Sequence, residues 1–254
     1  MGQMINKIIF KIKSLFGVAK VAGIDYTSLD IYSDKVFMAI YNRCSQYTMT
    51  SIERMYSLYK SVIYVIENDI PGDFVECGVY QGGSSRMIAE TLCLLNSTER
   101  KIYLYDTYEG MPQAGVQDFD ISGTQASAIQ SNISNVSNSS NWCFASLDFV
   151  QDVMCKSGYP INNLIFIKGI IEETLPDKIP TFIALLRLDT DWYSSTLHEL
   201  NYLYPILSKN GILIIDDYGH WDGARKAVDE YLNSLKFKPI LNRVDYTCRL
   251  IVKI

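Results

Sequence analysis

Asp73-Phe74-Val75-Glu76-Cys77-Gly78-Val79-Tyr80-Gln81-Gly82-Gly83-Ser84-Ser85 decides the fold. Asp73 to Cys77 reads as a short strand, the glycines as a tight turn, and Ser85 to Leu95 as a helix. A strand that runs through a glycine-rich turn into a helix opens a doubly wound α/β sheet, with ligands at the carboxyl end of the strand. Gly78 and Gly82 let the backbone turn sharply and approach a ligand closely. The spacing is not G-x-G-x-x-G, and no Lys-Ser/Thr pair follows, so it matches neither the dinucleotide fingerprint nor a phosphate-binding loop.

Working outward, strand and helix signals alternate. Strands are expected at Lys101 to Asp106, Leu164 to Lys168, Phe182 to Leu188 and Gly211 to Ile215. Helices are expected at Met49 to Asn68, capped by Thr50 or Ser51, at Ser194 to Leu207 and at Gly223 to Leu235. This predicts a mainly parallel sheet with helices on both faces. Phe237 to Leu241 and Thr247 to Ile254 read as a C-terminal antiparallel hairpin, with Pro239 suited to an edge. The expected organisation is a helical extension over 1–46 and one α/β domain over 47–254. Gly115 to Asn141, rich in Ser, Asn, Gln and Gly, is expected to be a mobile lid or binding loop.

Composition narrows the function. The 254 residues are 48 % hydrophobic and carry a net charge of -5, which gives a core but no basic face for nucleic acid. Six scattered cysteines without a C-x-x-C pair, and only His198 and His220, argue against zinc or haem. Free thiols suit a reducing cytoplasm. Met1 to Gly23 is apolar with four interleaved lysines, too short and too charged to span a bilayer. It is expected to be a helix packing on its own domain or across a homo-oligomer, with contact to a membrane surface as the alternative.

Two apolar runs end in acids: Asp189 and Asp191 after Ala184 to Leu188, and Asp216-Asp217 after Gly211 to Ile215. Buried carboxylates are costly unless paired, so a hard cation such as Mg²⁺ is expected, with Mn²⁺ or Ca²⁺ as alternatives. Asp189, Asp216 and Asp217 are the candidate ligands. Asp191, two residues from Asp189, is the candidate general base, with capping of the next helix as its other reading. His220 is the competing base. At the glycine turn, Glu76 would repel a pyrophosphate and suits a positive amino group, such as that of S-adenosylmethionine. Asp106, ending the second strand, is placed for ribose hydroxyls.

With these segments in view, the chain resembles the macrocin O-methyltransferase family, magnesium-dependent enzymes that methylate sugar hydroxyls on a Rossmann-like methyltransferase fold. The matching runs are Tyr47 to Thr50, Gly72 to Gly83, Tyr105 to Pro112, Lys168-Gly169 through Glu173 to Pro176, Leu188 to Thr196, Asp216 to Trp221 and Gly223 to Val228. The resemblance implies that Glu76, Gly78, Val79, Tyr80, Ser84, Asp106 and Asp189 line the cofactor. It also implies that Thr48 and Met49 close over it, that Ile171 and Glu172 flank the adenine, and that the three aspartates bind metal. The acceptor it implies is a sugar-bearing small molecule of natural-product or surface-glycan biosynthesis. The same metal geometry would serve a catechol-type enzyme acting on an aromatic diol. A non-catalytic cofactor-binding subunit would have no need of the metal trio.

Overall fold

The computed structural model describes residues 29–136 and 142–254. The expected helix at Met1 to Gly23 lies outside them. The chain divides into two compact units, Met1–Ala39 and Ile40–Ile254. Helices α1 (Leu29–Ser33) and α2 (Lys35–Cys44) come first in the described chain.

The remaining elements alternate. In order they are α3 (Ile52–Glu67), β1 (Asp73–Cys77), α4 (Gly83–Leu94), β2 (Ile102–Asp106), α5 (Ala126–Val136) and α6 (Leu147–Cys155). Then come β3 (Leu164–Lys168), α7 (Ile171–Thr174), β4 (Ile183–Leu188), α8 (Tyr193–Leu203), β5 (Leu207–Ile215), α9 (Asp222–Ser234), β6 (Asn242–Arg243) and β7 (Arg249–Val252). The seven strands form one sheet in the order β3-β2-β1-β4-β5-β7-β6. The first five are parallel, and β7 runs antiparallel to both β5 and β6. The chain leaves β1 toward β2 and β3 on one side and returns to β4 and β5 on the other. The crevice at the carboxyl ends of β1 and β4 is therefore the switch point where ligands bind in such sheets.

Side-chain alternation assigns the two faces. Val75, Cys77, Leu186, Leu188, Leu213 and Ile215 share a buried cluster with Leu200 and Leu203 of α8 and Val228 of α9. The alternate residues face the side of α3 and α4, and Glu76 and Arg187 are partners in the β1–β4 register there. Both are almost fully buried, at 0 % and 1 % exposure. Ser51 caps α3 by accepting from Arg54 N at 3.2 Å.

The fold explains several departures from expectation. Strand β5 begins at Leu207, four residues early, because Asn210-Gly211 forms an irregularity in the strand, with Asn210 at φ +62, and does not end it. Phe237 to Leu241 is not a strand: Pro239 has no N–H to give a ladder, and pairing starts only at Asn242. Within the polar 113–141 stretch, α5 forms where Ala126, Ile129 and Ile133 recur at helical spacing, and Ala126 is fully buried. Asp118 anchors that stretch, 1 % exposed, accepting from Gly115 N at 2.7 Å and Tyr193 N at 2.8 Å. The cysteines are all free: Cys44, Cys77 and Cys248 are buried, but Cys155 is exposed. Among the described residues no helix is long and apolar enough to cross a membrane.

Gly78 has φ +84, and a Cβ on it would lie 1.9 Å from the Asp189 carbonyl oxygen. Gly78→Ala is expected to cost at least about 2 kcal/mol, read as a fall of roughly 4–8 °C in Tm. An unchanged Tm would mean that β1 and β4 do not approach this closely.

Candidate active site

The acids meet because the ladder continues past the strands. Asp189 N donates to Cys77 O and Asp216 N to Leu188 O, both at 2.9 Å, so the two carboxylates leave neighbouring strand ends. The next residue, Asp217, sits where the chain turns: His220 N and Trp221 N donate to its carbonyl. Carboxylate oxygens of Asp189, Asp216 and Asp217 lie within 4.8 Å of one another.

Two guanidinium groups brace this cluster. Arg187 Nη1 is 2.6 Å from Glu76 Oε1 and 2.8 Å from Asp189 Oδ2, and its Nη2 is 2.9 Å from Asp216 Oδ1. Arg54 pairs with the other oxygen of Asp216 and, at 3.1 Å, with Asp245. Asp216 Oδ1 is buried and lacks an aligned hydrogen-bond donor. Five acids (Glu76, Asp189, Asp191, Asp216, Asp217) thus face two arginines, one of which is shared with Asp245. Burial, reinforced by the neighbouring carboxylates, pushes Asp189 and Asp217 well above the ordinary carboxylate range. A set of buried carboxylate oxygens with more negative charge than the two guanidinium groups neutralise fits a hard divalent cation.

Asp191 has φ +66, and its N–H points at Asp217 Oδ2, 3.3 Å away. Burial raises its carboxyl to about 6, against hydrogen bonds with Asp217 and Trp221 that pull it down. It does not cap α8: the first N–H of that helix, on Tyr193, is held by Asp118. His220 lies on the same cavity wall, its Nδ1 3.4 Å from the Tyr246 hydroxyl.

One cavity of about 670 Å³ joins these groups to the glycine turn. Thr48, Met49, Gly78, Val79, Tyr80, Ser84, Asp106, Ile171, Glu172 and Asp189 line it, together with Asp191, Asp216, Asp217 and His220. Its size is within the range of small-molecule and cofactor sites. Asp106 is raised by burial and opposed by the donors it accepts: Tyr108 N at 2.7 Å, Tyr80 N at 3.0 Å and Val79 N at 2.7 Å. It therefore ties the glycine turn to the loop after β2, besides facing the cavity.

Glu76 is the exception among the residues expected at the cofactor. It is not on the cavity wall. It is buried behind the wall, bonded to Arg187 and to the Ser85 hydroxyl. Within β1 its side chain packs toward α4, whereas Gly78 lies past the end of the strand, in the turn that reaches the cavity.

Sequence reasoning passed over Arg187, Arg54, Asp118 and Tyr246. Arg187 had a signal: a lone arginine inside the apolar run Ala184 to Leu188 must be paired if that strand is buried. Trp142, Trp192 and Trp221 are aromatic residues of a kind that can stack on a sugar face. They form one cluster with ring centroids 5.0–6.0 Å apart, and Trp192 and Trp221 are almost fully buried. Those two are largely core.

Comparison with known proteins places the chain among methyltransferases. The family model described as Macrocin-O-methyltransferase (TylF) matches residues 40–253. The chain is 30 % identical over 201 residues to the 8-demethyl-8-(2,3-dimethoxy-alpha-L-rhamnosyl)-tetracenomycin-C 4'-O-methyltransferase of Streptomyces olivaceus, covering 79 % of this chain and 73 % of that protein. It is 30 % identical over 188 residues to the demethyldecarbamoylnovobiocin O-methyltransferase of Streptomyces niveus, covering 73 % and 67 %. The solved O-methyltransferase NovP superposes with a TM-score of 0.70 at 28 % identity over 82 % of each chain. Calicheamicin methyltransferase CalS11, at 17 % identity and a TM-score of 0.61, shares the fold, covering 92 % of this chain and 94 % of its own.

Proposed function

Because the chain belongs to the macrocin O-methyltransferase family, and is thus an S-adenosylmethionine-dependent O-methyltransferase, we propose that it methylates a sugar hydroxyl with a divalent metal ion held by Asp189, Asp216 and Asp217. The observation that carries this reading is the carboxylate trio opening into the same cavity as the glycine turn. The relative named for methylating a rhamnosyl-bearing tetracenomycin supports the sugar acceptor.

The chain's residues divide the work. Gly78, Val79, Tyr80 and Ser84 form the wall against which the methyl donor lies, and Asp106 offers carboxylate oxygens to its ribose. Thr48 and Met49 border it from the segment before α3, and Ile171 and Glu172 from α7. Glu76 acts through Arg187, fixing the guanidinium that holds Asp189 and Asp216 in place. A divalent cation at the trio, when bound, supplies a positive charge that orients the acceptor and makes its hydroxyl more acidic. Asp191, beside Asp217 on the wall, takes the hydroxyl proton as the methyl group is transferred, and the surrounding tryptophans keep bulk water out. Holding donor and hydroxyl in line supplies much of the rate. Mg²⁺ is the ion that best suits the oxygen-only donor set, and the setting is natural-product glycoside biosynthesis in the cytoplasm.

Asp191→Asn is expected to lower kcat by about 10²–10⁴-fold while leaving S-adenosylhomocysteine affinity unchanged by calorimetry. A wild-type kcat would transfer the base role to His220.

A further inference from the structure

Resting on that reading, we propose that Glu199 is a positioning residue for methyl transfer: from behind the cavity wall it grips Thr190, and so fixes the main chain that presents Asp191 to the acceptor. Glu199 lies in the middle of α8, on the helix that also sends Leu200 and Leu203 into the core, and it is 0 % exposed. Its carboxyl takes one aligned hydrogen bond among the described residues: Thr190 Oγ1 donates to Oε1 at 2.9 Å. Oε2 has no aligned donor among them, and the Cys77 thiol of β1 is its polar neighbour. The charged groups around it are the acids Glu172 and Asp189. Burying a carboxyl in such surroundings costs free energy that an apolar side chain would not. An acid kept there points to the group it holds.

That group, Thr190, joins a metal ligand to the candidate base. Asp189 is fixed from the sheet: its N–H donates to Cys77 O at 2.9 Å, and its carboxylate meets Arg187. Asp191 lies past the strand end with φ +66, a conformation that a non-glycine residue keeps only where its surroundings impose it. Helix α8 imposes it through Thr190. Residues four apart on a helix share a face, and Ser195 and Glu199 both reach Thr190 from theirs. Ser195 Oγ donates to the Thr190 carbonyl at 3.3 Å, and Trp192 N donates to the same oxygen at 2.7 Å. Glu199 takes the side chain, so Thr190 is held at its carbonyl and at its hydroxyl. With Thr190 fixed, the next N–H points at Asp217 Oδ2, and Asp191 stays on the cavity wall. Without the grip, the main chain can relax toward negative φ and carry the Asp191 carboxyl away from the acceptor hydroxyl. A displacement of about 1 Å at a reacting group can cost roughly a hundredfold in rate.

Four single variants and one double variant test this. Thr190→Val keeps the shape of threonine and removes the donor; Glu199→Leu removes the acceptor. Thr190→Ser and Glu199→Gln keep both groups. Burial raises the Glu199 carboxyl well above the ordinary range, so an uncharged amide is a fair copy of it. Each protein is assayed with labelled S-adenosylmethionine and phenyl glycosides of rhamnose, glucose and mannose. Amide hydrogen exchange is followed in the peptide spanning Asp189 to Trp192, and S-adenosylhomocysteine and Mg²⁺ affinities by calorimetry. Thr190→Val and Glu199→Leu should each lower kcat at least about tenfold, with acceptor KM and both affinities within about twofold of wild type. Exchange in the peptide should be at least about fivefold faster in both. The double variant should fall no more than about twofold below the worse single one, because the two side chains act as a unit. Thr190→Ser and Glu199→Gln should recover kcat to within about threefold of wild type.

A normal kcat or normal exchange in Thr190→Val would overturn the proposal, and that variant leaves no cavity, so the test stands even if Glu199→Leu fails to fold. Losses that multiply in the double variant, or losses in the serine and glutamine variants as large as in the other two, would overturn it as well. The reading beneath it fails differently, with wild-type enzyme that transfers no methyl group to any of the three glycosides.

Discussion

Replacing Asp217 by alanine or asparagine is expected to cut kcat/KM for methyl transfer by about 10³-fold or more. Asp217 is the informative member of the trio. Asp189 and Asp216 also hold arginines, so removing either would unpair a buried guanidinium and confuse structural with chemical loss. Among the described residues Asp217 has no arginine partner; its oxygens meet Asp191 and the other carboxylates of the trio. A cation that orients and acidifies a hydroxyl is worth several kcal/mol of transition-state stabilisation, and about 4 kcal/mol is a thousandfold in rate. Asparagine keeps the volume and one acceptor oxygen but drops the charge, so it should fail nearly as badly. Titration calorimetry should show Mg²⁺ or Mn²⁺ affinity reduced at least tenfold and S-adenosylhomocysteine affinity within twofold of wild type. Normal turnover in Asp217→Asn would remove Asp217 from the ligand set.

Arg187→Met is expected to destabilise the fold by roughly 3–5 kcal/mol. One guanidinium, 1 % exposed, neutralises Glu76, Asp189 and part of Asp216. Removing it leaves carboxylates buried without their counter-charge, the costly way to break a buried pair. Glu76 suffers most, since among the described residues only the Ser85 hydroxyl remains to it, whereas Asp216 keeps Arg54 and Asp189 keeps 27 % of its side-chain surface exposed. Thermal unfolding should show a Tm lower by roughly 10 °C. The double variant Glu76→Gln with Arg187→Met should recover part of the loss, because the most buried acid is then neutral. Arg187→Lys should fall between, since one ammonium cannot reach three carboxylates at once. An Arg187→Met protein as stable as wild type would mean that these acids are protonated and need no partner.

Much of this site was legible in the sequence because its acids sit at strand ends. Val75 to Gly78, Ala184 to Asp189 and Gly211 to Asp217 each show an apolar run giving way to polar residues, and the parallel sheet brings those transitions to one edge. Period-two alternation was the harder inference. It puts Glu76 and Arg187 on one face and hides Glu76 from the cavity that its neighbour Gly78 lines. A glutamate beside a glycine turn reads as a ligand contact until its cross-strand partner is known. Contacts between distant segments left no local trace: Asp118 on the first turn of α8, or the β6–β7 turn against Gly219, depend on residues 75 and 27 positions apart. The missed helix α5 had a local signal in Ala126, Ile129 and Ile133, masked by the polar composition around it.

The most direct test is the transfer of a labelled methyl group from S-adenosylmethionine to phenyl glycosides of rhamnose, glucose and mannose, using enzyme dialysed against a chelator and then supplied with Mg²⁺. The account predicts at least a hundredfold loss of transfer in the stripped enzyme and its recovery with Mg²⁺, with S-adenosylhomocysteine binding unchanged throughout. Full transfer in excess chelator would contradict it.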